Sequence, residues 1–346
     1  MVKPVTDDLN RAVMAAFIDW EKLDNSVLFI TGATGLVGYA LVSVLCEASI
    51  CRRMHTKLVL LVRDEEAAKQ RFHGMKEYES ISFVQGSVEN FHYEGKVDHI
   101  IHCASQTASS QFVEKPVETI DTAVLGSREL LKLAVKNNVR SFVYLSSMEV
   151  YGEGNKERRV KETDIGVFDT LSTRNCYPLS KLLCENLCFS FYSEYGVPVR
   201  IARLSQVIGG DMHVNDKRVI SYFKKCVEKG EDIRLTTSGG SRHCFIHALD
   251  CALALLSIML NGNDGEIYNV ATEGTCCSIA ELAEKISKRY GIGVCFENTS
   301  DAKYPNEHVI DIDTSKLKNL NWKPIKSDIM EIFDSIIDYS YRRGNQ

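Results

Sequence analysis

Short apolar runs alternate with longer stretches in which apolar residues recur every three or four positions. Val27-Leu28-Phe29-Ile30, Lys57 to Val62, Ile81 to Val84, Val97 to Cys103, Ser141 to Ser146 and Val199 to Leu204 have the length and β-branched content of buried strands. Between them, Leu36 to Leu45, Val117 to Asn137 and Arg174 to Tyr195 carry the helical period. Strand alternating with helix predicts an α/β fold with a doubly wound parallel sheet, because a parallel strand pair needs a crossover helix. Residues 1–25 precede the first strand as an extension with one helix, Leu9 to Trp20, packed on the outside. Beyond Ser205 the alternation loosens into short strands, loops and helices such as Ser278 to Tyr290. This predicts a smaller C-terminal α/β region over the carboxyl edge of the sheet, where ligands of such folds bind.

Composition narrows the class. With 346 residues, 45% hydrophobic and 25% charged, the chain reads as an ordinary globular protein, and a net charge of −5 offers no basic footprint for nucleic acid. The apolar window Leu28 to Ile50 is strand, turn and helix, and Ala248 to Leu260 is too short to span a bilayer and contains Asp250, so no membrane partner is expected. Lys3, Asp7, Asp8 and Arg11 exclude a signal-peptide core near the start, and a cytoplasmic location is expected. The 12 cysteines lack any Cys-x-x-Cys pair and read as reduced, mostly buried thiols, with Cys276-Cys277 as a loop feature. His99, His102, His213 and His247 form no tight ligand spacing, so no metal is expected.

The decisive motif is TGATGLVG, residues 31–38, between the first strand and its helix. Gly32 allows the tight turn, Gly35 lets a diphosphate approach the backbone, and Gly38 lets helix and strand pack closely. The loop at Thr34 and the helix N-terminus at Leu36 and Val37 then offer free N–H groups to phosphate. This predicts a Rossmann dinucleotide-binding domain over 26–205, with a return over about 242–270, and a substrate-binding region over 206–241 and 271–346. Strand two ends Val62-Arg63-Asp64. Asp64 suits the ribose hydroxyl of NAD, whereas Arg63 suits the 2′-phosphate of NADP.

A second motif supplies chemistry. In Tyr177-Pro178-Leu179-Ser180-Lys181 the phenol and ammonium stand at i and i+4 and share a helix face. A neighbouring Lys⁺ and a positive nicotinamide ring favour the phenolate, a proton acceptor that an isolated tyrosine does not provide near neutrality. Ser146-Ser147 ends strand five, where a hydroxyl can hold a substrate oxygen opposite the tyrosine.

Together TGATGLVG, Ser146 to Gly152 (SSMEVYG) and Tyr177 to Lys181 (YPLSK) resemble the extended short-chain dehydrogenase/reductases that modify nucleotide sugars as epimerases and dehydratases. The likeness runs from about Ser26 to Tyr339 and includes Tyr268-Asn269-Val270-Ala271 and Leu320-Asn321-Trp322-Lys323-Pro324. It implies Ser147, Tyr177 and Lys181 as a catalytic triad, Tyr177 taking a hydroxyl proton while a sugar carbon, usually C4, is oxidised. It extends the cofactor site to Ser87, Val88, Ala104 and Ser105, with Tyr177 and Lys181, and favours NAD. Ser87 stands where such enzymes usually carry an Asp against adenine. It also implies a homodimer through the helices at Val117 to Asn137 and Arg174 to Tyr195, and a place in polysaccharide biosynthesis.

Within that family the chain is most similar to the UDP-glucuronate decarboxylases. Ser147-Met148-Glu149, Arg174-Asn175-Cys176-Tyr177 and Met212 to Val219 match their patterns. The resemblance implies Glu149 as a fourth catalytic residue and Ser147, Met148, Glu149, Arg218, Arg242 and His243 at the substrate. Met148 stands where 4,6-dehydratases place an acid and cannot donate a proton. The chain departs from the decarboxylases at His243, where they carry arginine with Arg242 displaced by one, at Ser205-Gln206, and at Gly210-Asp211. A 4-epimerase, a 4,6-dehydratase, an NADPH-dependent keto-sugar reductase suggested by Arg63, and a dinucleotide-sensing protein without catalysis are the competing expectations.

Overall fold

The structure is a computed structural model that describes residues 6–75, 78–155, 157–210, 212, 216, 218–297 and 307–344. Helix α1 (Thr6–Val13) precedes β1 (Val27–Thr31), α2 (Leu36–Arg52), β2 (Lys57–Val62), α3 (Glu65–Phe72), β3 (Ile81–Gln85) and β4 (His99–His102). Then follow α4 (Ser109–Glu114), α5 (Pro116–Asn137), β5 (Ser141–Ser147), α6 (Cys176–Tyr195), β6 (Val199–Leu204) and β7 (Gln206–Ile208). The remainder comprises α7 (Val219–Lys229), β8 (Ile233–Leu235), β9 (Arg242–His243), β10 (Phe245–His247), α8 (Ala248–Asn261), β11 (Glu266–Val270) and β12 (Cys277–Ser278). It ends with α9 (Ile279–Tyr290), β13 (Val294–Phe296), β14 (Val309–Ile310), α10 (Ser315–Lys318) and α11 (Ile329–Gly344).

Seven strands in the order β11-β6-β5-β4-β1-β2-β3 form one parallel sheet. Side chains alternate across it, so neighbours in β1 serve opposite cores. Leu28 and Ile30 face α2 and α8 with Leu41, Leu45 and Leu253, while Phe29 faces α5 and α6 with Leu130, Phe142 and Cys184. Covering both faces explains why the strands read as unbroken apolar runs. This is the Rossmann-type doubly wound α/β fold. The chain leaves β1 and β4 in opposite directions, and Thr31 pairs in register with His102 at their carboxyl ends. That switch point is the crevice in which such sheets bind ligands.

Two expectations shift locally. The extension helix stops at Val13, and a separate 3-10 turn at Trp20–Leu23 follows, because Trp20 and Leu23 must turn inward to the core. Cys277 begins β12 and pairs antiparallel with His243, so the Cys276-Cys277 step enters a strand and is not wholly loop. The later part of the chain makes a core of its own from Phe223, Ile286, Phe333 and Ile336, beside a three-stranded sheet ordered β12-β9-β14. No helix among the described residues is long and apolar enough to cross a membrane.

Candidate active site

The glycine turn is built for close approach. Gly32 has φ +66°, and a Cβ there would lie 2.6 Å from the Ala104 nitrogen. At Gly38 a Cβ would lie 2.3 Å from the Gly32 carbonyl, so any side chain would push helix α2 off the turn. Gly35 differs. It caps α2, and a Cβ there would meet only the Gly32 carbonyl, at 3.3 Å, so the space above it is open. The N–H groups of Leu36, Val37 and Gly38, in the first turn of α2, have no intrahelical acceptor and face that end. Thr34 is exposed beside them. Across the switch point Thr31 Oγ1 shares a 2.8 Å hydrogen bond with His102 Nδ1 and accepts one from the Ala104 amide at 3.1 Å. Burial pushes His102 down to about 3, so it is a neutral brace. Ser105 follows, its hydroxyl donating to the Gln106 carbonyl at 3.3 Å.

Helix α6 brings Tyr177 and Lys181 to the end of β5. Both are buried. The Tyr177 ring stacks on Phe112 with centroids 4.4 Å apart and planes within 7°. The Lys181 ammonium donates to the Leu145 carbonyl at 2.7 Å and lies 5.7 Å from the Tyr177 ring centroid. Burial lowers Lys181 to about 8. Burial also raises the Tyr177 phenol well above its ordinary value; the Glu149 carboxylate raises it further, and the Ser147 hydroxyl and Arg174 oppose this. Among the protein's own groups, desolvation therefore dominates the Tyr177 phenol, and the Lys181 ammonium is turned toward a backbone carbonyl.

Ser147 is half-buried, and its hydroxyl accepts from the Glu149 amide at 3.2 Å, which aligns the 3-10 turn Met148–Tyr151. Arg174 Nη2 donates to Glu149 Oε2 at 2.9 Å, and its guanidinium lies 4.9 Å from the Phe112 ring centroid. Met148 is buried in an apolar cluster with Val150, Tyr151 and Cys244. Beneath them, Ser146 donates to Glu185 Oε1 at 2.5 Å, and Arg203 grips both Glu185 oxygens at 2.9 and 2.7 Å. Arg203 also donates to the Tyr151 hydroxyl at 3.2 Å. Phe112, Arg174 and Glu185 were not among the expected site residues. Glu185 had a signal, since it stands four residues after Lys181 on the same helix face. Phe112 and Arg174 reach Tyr177 and Glu149 only through the fold.

The other three residues expected at the substrate, Arg218, Arg242 and His243, stand in surroundings of their own. Arg218 is held by Asp216, with Nη2 to Oδ2 at 2.7 Å, and donates to the Val207 carbonyl at 2.8 Å. Arg242 pairs with Glu281 at 2.5 Å. His243 is buried, its ring 4.6 Å from that of His308, and desolvation lowers it to about 3. The stretch Met212 to Val219 is described only at Met212, Asp216, Arg218 and Val219; His213 lies outside the described residues.

Residues 28–271 match the NAD dependent epimerase/dehydratase family. The chain belongs to that family. It is accordingly an NAD-dependent enzyme of the epimerase/dehydratase type. It is 29% identical over 307 residues to UDP-glucuronic acid decarboxylase 1 of Xenopus tropicalis, covering 87% of this chain and 69% of that protein. Among solved structures, an epimerase of Methanothermobacter thermautotrophicus superposes with a TM-score of 0.80 at 22% identity, over 96% of this chain and 97% of the other. A dTDP-glucose 4,6-dehydratase of Streptomyces venezuelae, solved with NAD, superposes with a TM-score of 0.77 at 22% identity, over 92% and 98%.

NAD fits the residues of this family member. The open space above Gly35 and the free N–H groups of α2 suit a diphosphate. At the end of β2, Arg63 is exposed, and Asp64 caps α3 by accepting from the Ala67 amide at 2.9 Å, which engages one of its two oxygens. Ser87 is tied to Asn90 by paired backbone hydrogen bonds of 3.1 Å, and Val88 packs where Gly126 leaves room.

Proposed function

We propose that this enzyme oxidises a hydroxyl of a nucleotide-diphosphate sugar, at C4, to a keto intermediate, and that its reaction is decarboxylation of a UDP-glucuronate-type substrate. The observation that carries the reading is the convergence of Ser147, Tyr177 and Lys181 at the mouth of the switch point, with Glu149 held beside them by Arg174. The likeness to UDP-glucuronic acid decarboxylase 1 over most of this chain supports the same reading.

NAD, when bound, supplies the hydride acceptor, the later hydride donor and a positive ring charge. Tyr177 takes the hydroxyl proton and later returns it, with Ser147 holding the sugar oxygen. Lys181, its ammonium 5.7 Å from the Tyr177 ring centroid, supplies positive charge on the same side of the site. A ketone β to a carboxylate lets the carbon–carboxyl bond break, the electron pair passing into an enolate as CO2 leaves. Glu149, poised by Arg174, orients the sugar or passes a proton back to carbon. Met148 cannot serve as the acid that dehydration requires, which argues against 4,6-dehydration.

A second reading, 4-epimerisation, is favoured by one observation: Arg218 and Arg242, the cations expected near a substrate carboxylate, are already paired with Asp216 and Glu281. Incubation with UDP-glucuronate and a product mass scan separates the two. Loss of the mass of CO2 supports decarboxylation. Unchanged mass with C4 inverted supports epimerisation, and unaltered UDP-glucuronate rejects it as substrate. Mass spectrometry of cofactor released on denaturation distinguishes NAD from NADP, and stoichiometric NADPH oxidation would indicate a reductase.

We assign nucleotide-sugar binding to 206–241 and 271–346, against the dinucleotide-binding part at 26–205 and 242–270, in a cytoplasmic enzyme. Exposed apolar side chains on α5 and α6, among them Val117, Leu183 and Phe189, support a homodimer through those helices. Sedimentation of the purified protein tests it.

A further inference from the structure

The small sheet β12-β9-β14 ends in a group of ligands that the proposed reaction does not use. His243 pairs in register with Cys277 on one side and with Ile310 on the other. One residue further along each strand stand Cys276, Cys244 and Asp311. Their two Sγ atoms and a carboxylate oxygen all lie within 4.8 Å of one another. The order of the sheet brings them together, although they are remote from one another in sequence.

We propose that Cys244, Cys276 and Asp311 form a binding site for a thiophilic divalent cation, Zn²⁺ in the first instance. The Cys244 Sγ to Asp311 Oδ1 distance is 3.5 Å. Two ligands of a tetrahedral zinc, with Zn–S about 2.3 Å and Zn–O about 2.0–2.2 Å, stand roughly 3.5–3.7 Å apart, so this edge needs almost no rearrangement. The Ile312 amide donates to Cys244 Sγ at 3.3 Å, the kind of outer hydrogen bond that stabilises a metal-bound thiolate. Cys244 is buried, whereas Cys276 and Asp311 are partly exposed, leaving an entry path and room for water as fourth ligand. Two thiolates and one carboxylate around a dication leave one net negative charge. Arg159, with Nε 3.5 Å from Asp311 Oδ2, and Arg242, on the Cys276 carbonyl at 3.5 Å, border the site, each also paired with a carboxylate, Glu273 and Glu281.

A cation here joins three strands whose own ladders are only two residues long. It would brace Arg242 and His243, the two residues of β9, which Cys244 follows. The site is independent of which sugar the enzyme takes. The expectation of no metal weighed the spacing of the histidines, which does not reveal a rung shared by three separate strands.

The test is titration of the reduced, full-length protein with Co²⁺ as a spectroscopic stand-in, followed by competition with Zn²⁺. The expected result is one equivalent bound, with thiolate-to-cobalt charge-transfer absorption that Zn²⁺ abolishes. Cys244→Ser and Cys276→Ser should each remove that absorption, and Asp311→Asn, which keeps both thiols, should weaken binding at least about tenfold. Cys295→Ser, on exposed β13, should change nothing. Absence of the charge-transfer band in the wild type would overturn the proposal, as would its survival in Cys244→Ser. A Cys244–Cys276 disulfide in the isolated protein, with no metal uptake after reduction, would overturn it as well. Should Cys244→Ser fail to fold by circular dichroism, the wild-type spectrum and Asp311→Asn still decide.

Discussion

Two cations of this enzyme, Lys181 at the end of the large sheet and Arg242 on the small one, are held by opposite means. Lys181 is buried, donates to the Leu145 carbonyl, and is lowered to about 8 by desolvation. Arg242 is partly exposed, and its pairing with Glu281 raises it. The Lys181 charge is thus set by withdrawing water, and the Arg242 charge by supplying a partner. Near the parallel sheet, altering one buried group should change chemistry or folding by several kcal/mol; around the C-terminal region, cutting one pair should change little.

The largest expected effect is on turnover. Tyr177→Phe keeps the stack on Phe112 but removes the proton acceptor. It should lower kcat by about 10²- to 10⁴-fold while NAD stays bound. Steady-state kinetics with cofactor analysis checks this, and full activity would move the chemistry elsewhere. Next comes folding. Glu185→Ala strands Arg203, only 1% exposed, without its carboxylate, and should cost about 3–5 kcal/mol in urea unfolding. Its counterpart Glu281→Gln, which weakens the exposed pair with Arg242, should cost less than about 1 kcal/mol. Equal losses would break the contrast between the two regions.

A smaller effect follows from pH. The folded value of Lys181 lies below its ordinary value of 10.5, so its ammonium is present below about pH 8 and lost above it. Activity that needs the charge should fall as pH rises through about 8, and Lys181→Arg should move any residual activity's alkaline limb upward. Stability should respond in the opposite sense. The cost of burying the ammonium is full below about 8 and fades toward 10.5, so this group alone makes the fold more stable across that window. The smallest effect concerns Arg63. Arg63→Ala should weaken NADP binding several-fold and leave NAD binding nearly unchanged. Equal affinities before and after would make Arg63 a solvated surface residue, with cofactor choice resting on Asp64 and its neighbours.

Legibility follows the same division. The strands from Val27 to Leu204 were readable because a strand buried on both faces is a continuous apolar run, and the crossover helices repeat with a different period. The turn was readable because Gly32 and Gly38 leave no room for a side chain. The C-terminal strands have two or three residues each, too few to show a period. The partners that occupy Arg218, Arg242 and Glu149 were equally hidden, because pairing depends on where loops bring side chains.

By itself the sequence determined the doubly wound sheet, its glycine turn, and the i and i+4 placement of Tyr177 and Lys181, because each is a local consequence of period, backbone freedom or helix geometry. Only the tertiary structure decided that burial governs Tyr177, that Arg174 holds Glu149, that Glu185 neutralises Arg203, and that Cys244, Cys276 and Asp311 meet. These depend on desolvation and on contacts between distant segments, and neither quantity exists until the chain has packed.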